Sequence, residues 1–104
     1  MYEHTQAQTD AIIVLFSRYK GIAQYHAGAL SNRPERCRAE GLQALCGEAI
    51  EKSGKYPFDK LNRWLGFVQG VLAAIGAIDV DQEREFSRPL LHSFHLEAQP
   101  TFAS

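Results

Sequence analysis

The chain has 104 residues, of which 45% are hydrophobic and 22% are charged. This length suits one domain and excludes two independent cores, while the apolar content excludes disorder as a description of the whole chain. Eleven Lys and Arg residues face twelve Asp and Glu residues, for a net charge of −1. The chain therefore has no overall positive field for nonspecific binding to DNA or to an anionic membrane, and we expect a single domain over residues 1–104.

The cysteines and the hydrophobic stretches favour a soluble cytoplasmic protein. Cys37 and Cys46 fall on one predicted helix, where the rise between them is about 13 Å, too far for a disulfide. Free thiols are typical of the reducing cytosol. Residues 1–10 lack the basic and apolar regions of a secretory signal. The apolar stretches 11–16 and 71–75 are much shorter than the roughly 20 residues of a membrane span, so we expect no membrane partner.

The first half of the chain predicts two helices. An apolar stripe at Ile12, Phe16, Tyr19 and Ala23, widened by its neighbours Ile13, Leu15 and Ile22, predicts a helix over about residues 6–29. Pro34 then favours a restart, because proline disfavours helical geometry in the preceding residue but is tolerated in a first turn. The second helix is expected over Pro34–Ser53, and Gly54 is expected to end it in a left-handed conformation. Its apolar face contains Leu42, Leu45, Cys46, Ala49 and Ile50.

The strongest amphipathic stripe predicts a third helix over about residues 58–75, which we expect at the centre of the fold. This stripe consists of Leu61, Trp64, Leu65, Val68, Leu72 and Ile75. On the opposite side, Gly66, Gly70, Ala73 and Ala77 fall within about 60° of one another. A glycine inside a helix costs about 1 kcal/mol relative to alanine. Two of them therefore indicate close helix packing, either within the chain or across a subunit interface.

The end of the chain predicts a fourth helix. Gly76 is expected to end the third helix, and Asp79 and Gln82 form a capping box that opens the next. Pro89 predicts a break or kink. A short turn is then expected to dock onto the core through Leu90, Leu91, Phe94 and Leu96, and residues 98–104 are expected to form a flexible tail. The predicted fold class is all-α, a compact bundle of about four helices.

Arginines are the main candidates for contacts with a partner. Arg33, Arg36 and Arg38 cluster at the start of the second helix, where the helix dipole disfavours positive charge, so an acidic partner would explain them. Arg84 and Arg88 are four residues apart and could hold a phosphate or a carboxylate. The alternative for this second pair is a solvated face in which Asp81 and Glu85 neutralise the two arginines locally.

Other candidate sites are weaker. Tyr19 and Tyr25 lie among cations of the first helix and could stack on a base, although Tyr19 also fits the core stripe. His92 and His95 have a spacing that can share a metal, but a catalytic zinc needs a third ligand that the sequence does not specify. Neither cysteine lies beside a predicted base. We therefore expect no enzyme activity, no metal and no cofactor.

A resemblance covers about 35 residues of the second half. The residues concerned are Phe58-Asp59-Lys60-Leu61-Asn62-Arg63-Trp64-Leu65-Gly66-Phe67-Val68-Gln69-Gly70-Val71-Leu72, followed by Ile78-Asp79-Val80-Asp81 and by residues 83–92. Together they resemble small accessory proteins of tailed phages and prophages. The resemblance implies a nonenzymatic protein that binds a host component, such as a CRISPR complex, a defence nuclease or a nucleotide signal of an immune system. It selects no single target among these.

Three hypotheses for function follow. The first is a phage-type accessory protein that binds and inhibits a host defence factor through its arginines. The second is an oligomeric sponge for a cyclic nucleotide, with Arg84 and Arg88 on phosphates, Tyr19 or Tyr25 on a base, and subunits joined at the glycines of the third helix. The third is a helix-turn-helix DNA-binding regulator, which the near-neutral charge disfavours.

Overall fold

The computed structural model of this chain describes the backbone of residues 6–98 and the side chains of residues 6–90. Within these bounds the elements are helices only, in the order α1 (Gln6–Tyr25), α2 (Ala27–Leu30), a 3₁₀ turn (Glu35–Cys37), α3 (Ala39–Glu51), α4 (Phe58–Ala74) and α5 (Val80–Ala98). The predicted all-α bundle is therefore confirmed. The expected flexible tail lies mostly outside the described residues, as do the side chains of Leu91, Phe94 and Leu96.

The centre of the bundle is α1, which packs against α3, α4 and α5. We expected α4 in this place, because its stripe is the most regular. The long α1 instead buries Ile12, Phe16, Tyr19 and Ala23 as its pattern predicted, while Ile13, an expected flank of the stripe, is 36% exposed. The buried core consists of Ile12, Leu15, Phe16, Tyr19, Ala23, Leu30, Ala39, Leu42, Cys46, Ala49, Leu61, Leu65, Val68 and Leu72.

The first two predicted helices are each divided. His26, with φ −102° and ψ 25°, separates α1 from the short α2. The expected helix over Pro34–Ser53 is a 3₁₀ turn followed by α3, because Arg38 is extended (φ −81°, ψ 167°). Cys37 and Cys46 therefore lie in different elements, so the single-helix argument against a disulfide was wrong, although both cysteines are free.

A glycine in the left-handed conformation follows the end of α4, but none follows the end of α3. Among the described residues the one glycine with positive φ is Gly76, at 77°, so the left-handed conformation expected for Gly54 was wrong. The amide of Gly76 donates to the carbonyl of Ala73 at 3.0 Å, and the amide of Ala77 donates to that of Leu72 at 2.9 Å. This pair of bonds is a Schellman motif, which ends α4 and turns the chain towards α5.

The start of α5 agrees with the prediction from the sequence, whereas the predicted break at Pro89 is not found. The backbone N–H of Gln82 donates to Asp79 Oδ1 at 3.0 Å, as an N-cap at Asp79 requires. The helix then continues through Pro89 to Ala98, so the expected break was wrong. Proline removes one backbone hydrogen bond, a loss that packing on the apolar face can offset. Leu90, the next residue, packs against the core as expected.

A buried carboxylate fixes α5 to the rest of the bundle. Glu83 is 6% exposed. Arg18 binds it in two-pronged geometry, with Nε 3.0 Å from Oε1 and Nη2 2.8 Å from Oε2. The Tyr19 hydroxyl donates to Oε1 at 2.5 Å, and Gln69 Nε2 donates to that hydroxyl at 3.0 Å. Phe86, one turn from Glu83, lies under the Arg18 guanidinium at 4.5 Å. One network therefore joins α1, α4 and α5.

The network also changes the acidity of its members. The hydrogen bonds from Arg18 lower the pKa of Glu83; burial acts in the opposite direction, and the hydrogen bond from Tyr19 adds to the lowering. The pKa of Tyr19 is raised to about 12, mainly by burial and then by its bond to the Glu83 carboxylate, while the hydrogen bond from Gln69 acts in the opposite direction. A charged Glu83 and a protonated Tyr19 are therefore the forms that the fold stabilises.

Replacement of Glu83 by alanine should destabilise the chain by about 2 kcal/mol, because it leaves the buried Tyr19 hydroxyl and the half-exposed Arg18 without their acceptor. The matched control is Glu85→Ala, which removes an exposed carboxylate 3.4 Å from Arg88 and should cost less than about 0.5 kcal/mol. Urea denaturation measures both. Equal losses in the two variants would contradict the role of the network.

Acid should weaken the fold through the same residue. The pKa of Glu83 is lower in the folded chain than in the unfolded chain, so its stabilisation is present above about pH 4.3, the usual value, and is lost as pH falls through the folded pKa. Glu83→Gln should therefore show a shallower fall in unfolding free energy between about pH 5 and pH 3. Denaturation across this range tests it, and a wild-type slope in the variant would count against the assignment.

Candidate partner-binding face

The first arginine cluster lies on the connection between α2 and α3. Arg33, Arg36 and Arg38 are all exposed. Arg38 Nε donates to the Arg33 carbonyl at 2.8 Å, which closes the connection on itself. Among the side chains of residues 6–90, none of the three forms an ion pair. The three charges are therefore open to a partner, although each side chain borders a different cleft.

Gly41 holds the 3₁₀ turn against α3. A Cβ at this position would lie 2.6 Å from the Glu35 carbonyl oxygen and 2.9 Å from that of Arg36, which is closer than side chains tolerate. The turn itself is closed by the Cys37 amide, which donates to the Pro34 carbonyl at 2.8 Å. Only glycine permits this approach of two backbones. The sequence contained one signal of it, a glycine in the first turn of a helix, which our sequence reasoning did not use.

The turn and α4 enclose an apolar cleft of about 360 Å³. Its lining consists of Arg33, Pro34, Cys37, Phe67, Gly70, Val71 and Ala74. Phe67 is 41% exposed, an unusual state for an aromatic side chain with a defined position on a helix. Sequence reasoning did not single it out, because its position on the wheel lies outside the core stripe. The cleft places an aromatic ring beside the arginine cluster.

Phe67 also borders a second, wider cleft. That cleft measures about 720 Å³ and runs between the turn, α3 and α4, past Arg36, Leu45 and Trp64. Two carboxylates line it, and one of them, Glu48, accepts the Tyr56 hydroxyl at 2.6 Å. We name the continuous surface formed by the two clefts the Phe67 face, defined by Arg33, Arg36, Cys37, Trp64, Phe67, Gly70 and Ala74.

One of our two predictions required the glycines of α4 to pack closely within the chain, and they do not. A Cβ on Gly66 or Gly70 would meet nothing within 4 Å. Both glycines are exposed, while Ala73, which we expected beside them, is half-buried. The stripe that reaches solvent is Gly66, Gly70 and Ala74. Packing across a subunit interface stays a prediction, and in the monomer Gly70 leaves its part of the Phe67 face open.

The second arginine pair is not part of this face. Arg88 lies 3.4 Å from Glu85, an exposed pair that is the local neutralisation we considered. Arg84 lines a different cleft between α4 and α5. The two therefore do not act as one free cationic array in the described part of the chain. His92, which would extend the row, lies outside the described side chains, as does His95.

Base stacking by two tyrosines is not supported by their positions. Tyr19 is completely buried, and its hydroxyl belongs to the Glu83 network, so its ring cannot reach a ligand. Tyr25 is 85% exposed and contacts the ring of His26 edge-on at 5.0 Å. The helix periodicity that placed Tyr19 in the core stripe was the better guide. Of the two candidates, Tyr25 alone is accessible.

The described residues include a protonated buried thiol, no cluster of three metal-ligating side chains and no helix that could cross a membrane. Burial raises the pKa of Cys46 to about 11, which keeps this thiol protonated and unreactive at neutral pH. No group of three His, Cys, Asp or Glu side chains within residues 6–90 is arranged to hold a metal ion. Over the described helices, none combines the length and hydropathy needed to cross a bilayer.

Comparison with known proteins adds no relative. No protein-family model, curated protein or solved structure matches this chain. The resemblance of the second half to small phage proteins therefore stays a prediction, and the residues of the Phe67 face are the basis for a proposed function.

The two kinds of glycine should respond oppositely to alanine. Gly41→Ala should destabilise the chain by about 1 to 3 kcal/mol, because the added methyl group forces the 3₁₀ turn away from α3. Gly70→Ala should instead stabilise it by up to about 1 kcal/mol, because α4 gains helix propensity and the space is open. Thermal and urea denaturation of both variants measure the difference. Destabilisation by Gly70→Ala would show that its face is covered in the monomer or in an oligomer.

Proposed function

We propose that this chain is a nonenzymatic accessory protein of phage type, which binds a host protein through the Phe67 face and thereby inhibits a defence factor. The observation that carries the binding role is the exposed Phe67 ring beside an apolar cleft, adjacent to Arg33 and Arg36, which have no ion-pair partner among the described side chains. Aromatic residues and arginine supply most of the binding energy in known interfaces.

The residues of the face favour a partner of a particular chemistry. An acidic segment would pair with Arg33 and Arg36, and an apolar side chain of the same segment would enter the cleft beside Phe67. The exposed glycines of α4 allow the backbone of that segment to approach closely. A pre-formed surface on two rigid elements loses little entropy on binding, which favours affinity. We expect inhibition by occlusion, in the bacterial cytoplasm, of an acidic site on the partner.

The cyclic-nucleotide sponge is less favoured by the same structure. Its stacking residue Tyr19 is buried, and Arg88 lies beside Glu85. The DNA-binding alternative has the near-neutral net charge against it. An acidic protein segment with an apolar anchor satisfies both the cations and the cleft.

The test is capture of host proteins by the immobilised chain, followed by calorimetry with the protein identified. Phe67→Ala should weaken binding by tenfold or more, as expected for an aromatic anchor. Its matched control is Val14→Ala, since Val14 on α1 is equally exposed, at 42%. Arg36→Gln should also weaken binding, whereas Arg88→Gln should not.

The same variants test inhibition. Phage growth on a host with the captured defence factor should be restored by the wild-type chain and not by Phe67→Ala. Binding that is insensitive to Phe67 but lost in Val14→Ala would place the interface on α1 and overturn the proposal. Metabolite turnover by the purified chain, without a stoichiometric partner, would overturn the nonenzymatic role.

A further inference from the structure

Another, smaller cleft lies on the other side of α4, away from the Phe67 face. It measures about 270 Å³ and is enclosed between α4, the segment that follows it, and the first two turns of α5. Its walls combine apolar and polar groups. The lining residues are Asn62, Leu65, Gln69, Ile78, Val80, Glu83, Arg84 and Ser87. The volume suits a small molecule of about ten non-hydrogen atoms, much smaller than a nucleotide or a peptide.

Ser87 is the group in this cleft that lacks a function within the fold. It is 6% exposed, and its hydroxyl has no hydrogen-bond partner among the residues that the structure describes. Buried polar groups are nearly always hydrogen-bonded, so an unpaired one calls for an explanation. A bound molecule that donates to this hydroxyl or accepts from it would provide one.

The other polar groups on the inner side of the cleft offer free hydrogen-bond acceptors. Gln69 uses its Nε2 for the Tyr19 hydroxyl, and its carbonyl oxygen accepts nothing from the described side chains. Glu83 accepts three bonds and has one acceptor position left on Oε2. Hydrogen-bond acceptors therefore predominate on the inner side, where they favour a ligand that carries several N–H donors.

A cation stands beside these acceptors. Arg84 is exposed, and within residues 6–90 it takes part in no ion pair. Arg84 and Ser87 are three positions apart on α5, so their side chains leave the helix about 5 to 6 Å from each other on one face. The cleft thus presents an anion-binding group close to donor-binding groups, next to the apolar side chains Leu65, Ile78 and Val80.

We propose that this cleft binds a small apolar α-amino acid, with the carboxylate on Arg84, the ammonium among Ser87, Gln69 and Glu83, and the side chain against Leu65, Ile78 and Val80. An α-amino acid carries its two charges on one carbon, which matches the short separation of the opposing groups. This site is independent of the Phe67 face, because the two lie on opposite sides of α4.

The probe is L-leucine, added up to about 10 mM to the full chain and followed by amide chemical shifts. Shifts should centre on Gln69 and Ser87, with a dissociation constant of about 1 mM or below. Isocaproate, which lacks the ammonium, and isoamylamine, which lacks the carboxylate, should each bind about tenfold more weakly, since each loses one charge-assisted interaction. Equal affinity for all three probes would show that apolar contact alone is responsible.

Variants test which residues bind the carboxylate and the ammonium of leucine. Arg84→Gln should weaken leucine about tenfold and leave isoamylamine unchanged. Arg88→Gln is the matched control, on the same helix but outside the cleft, and should bind leucine as the wild type does. Ser87→Ala should weaken leucine severalfold, and circular dichroism checks that each variant is folded. Absence of shifts at 10 mM, shifts centred on Phe67, or unchanged affinity in Arg84→Gln would each overturn the proposal.

Discussion

The position of α5 depends on the Glu83 carboxylate. A carboxylate removed from water is costly unless it is paired and hydrogen-bonded. Arg18 and Tyr19 from α1 supply three hydrogen bonds, and Gln69 from α4 completes the network through the tyrosine hydroxyl. The first two turns of α5 are mostly polar, and their apolar residues Val80 and Phe86 are both exposed, so apolar burial alone would specify its register weakly. The network supplies this register because its donors come from residues fixed in the core.

The two surfaces that we propose as binding sites both depend on α4. Its buried stripe, which includes Leu61, Val68 and Leu72, anchors the helix in the core. On one side of that stripe α4 meets the 3₁₀ turn and presents Phe67, and on the other it meets α5 and forms the smaller cleft. A rigid helix with a neighbour on each side holds both sets of side chains in place without binding energy being spent on their ordering.

Local chemistry made much of the fold predictable. The core positions of α1 and α4 followed from apolar periodicity, and the starts and ends near Gly76 and Asp79 followed from capping residues that act on their own backbone. Predictions that needed information from distant residues failed, either entirely or for one of their alternatives. Pro89 does not end α5, Gly54 is not left-handed, and Gly66 has no close neighbour in the chain. In each case the outcome depends on what packs nearby, which the residue itself does not specify.

The sequence by itself determined the helical class, the buried faces of the long helices and the grouping of Arg33, Arg36 and Arg38, because these follow from neighbours a few positions away. Only the tertiary structure decided that Arg18 pairs with Glu83, 65 positions along the chain, and that Tyr19 is an internal hydrogen-bond donor. It also decided that Phe67 and Arg33 border one cleft. These are contacts between separate helices, and helix periodicity gives the face of a residue but not the partner that the face meets.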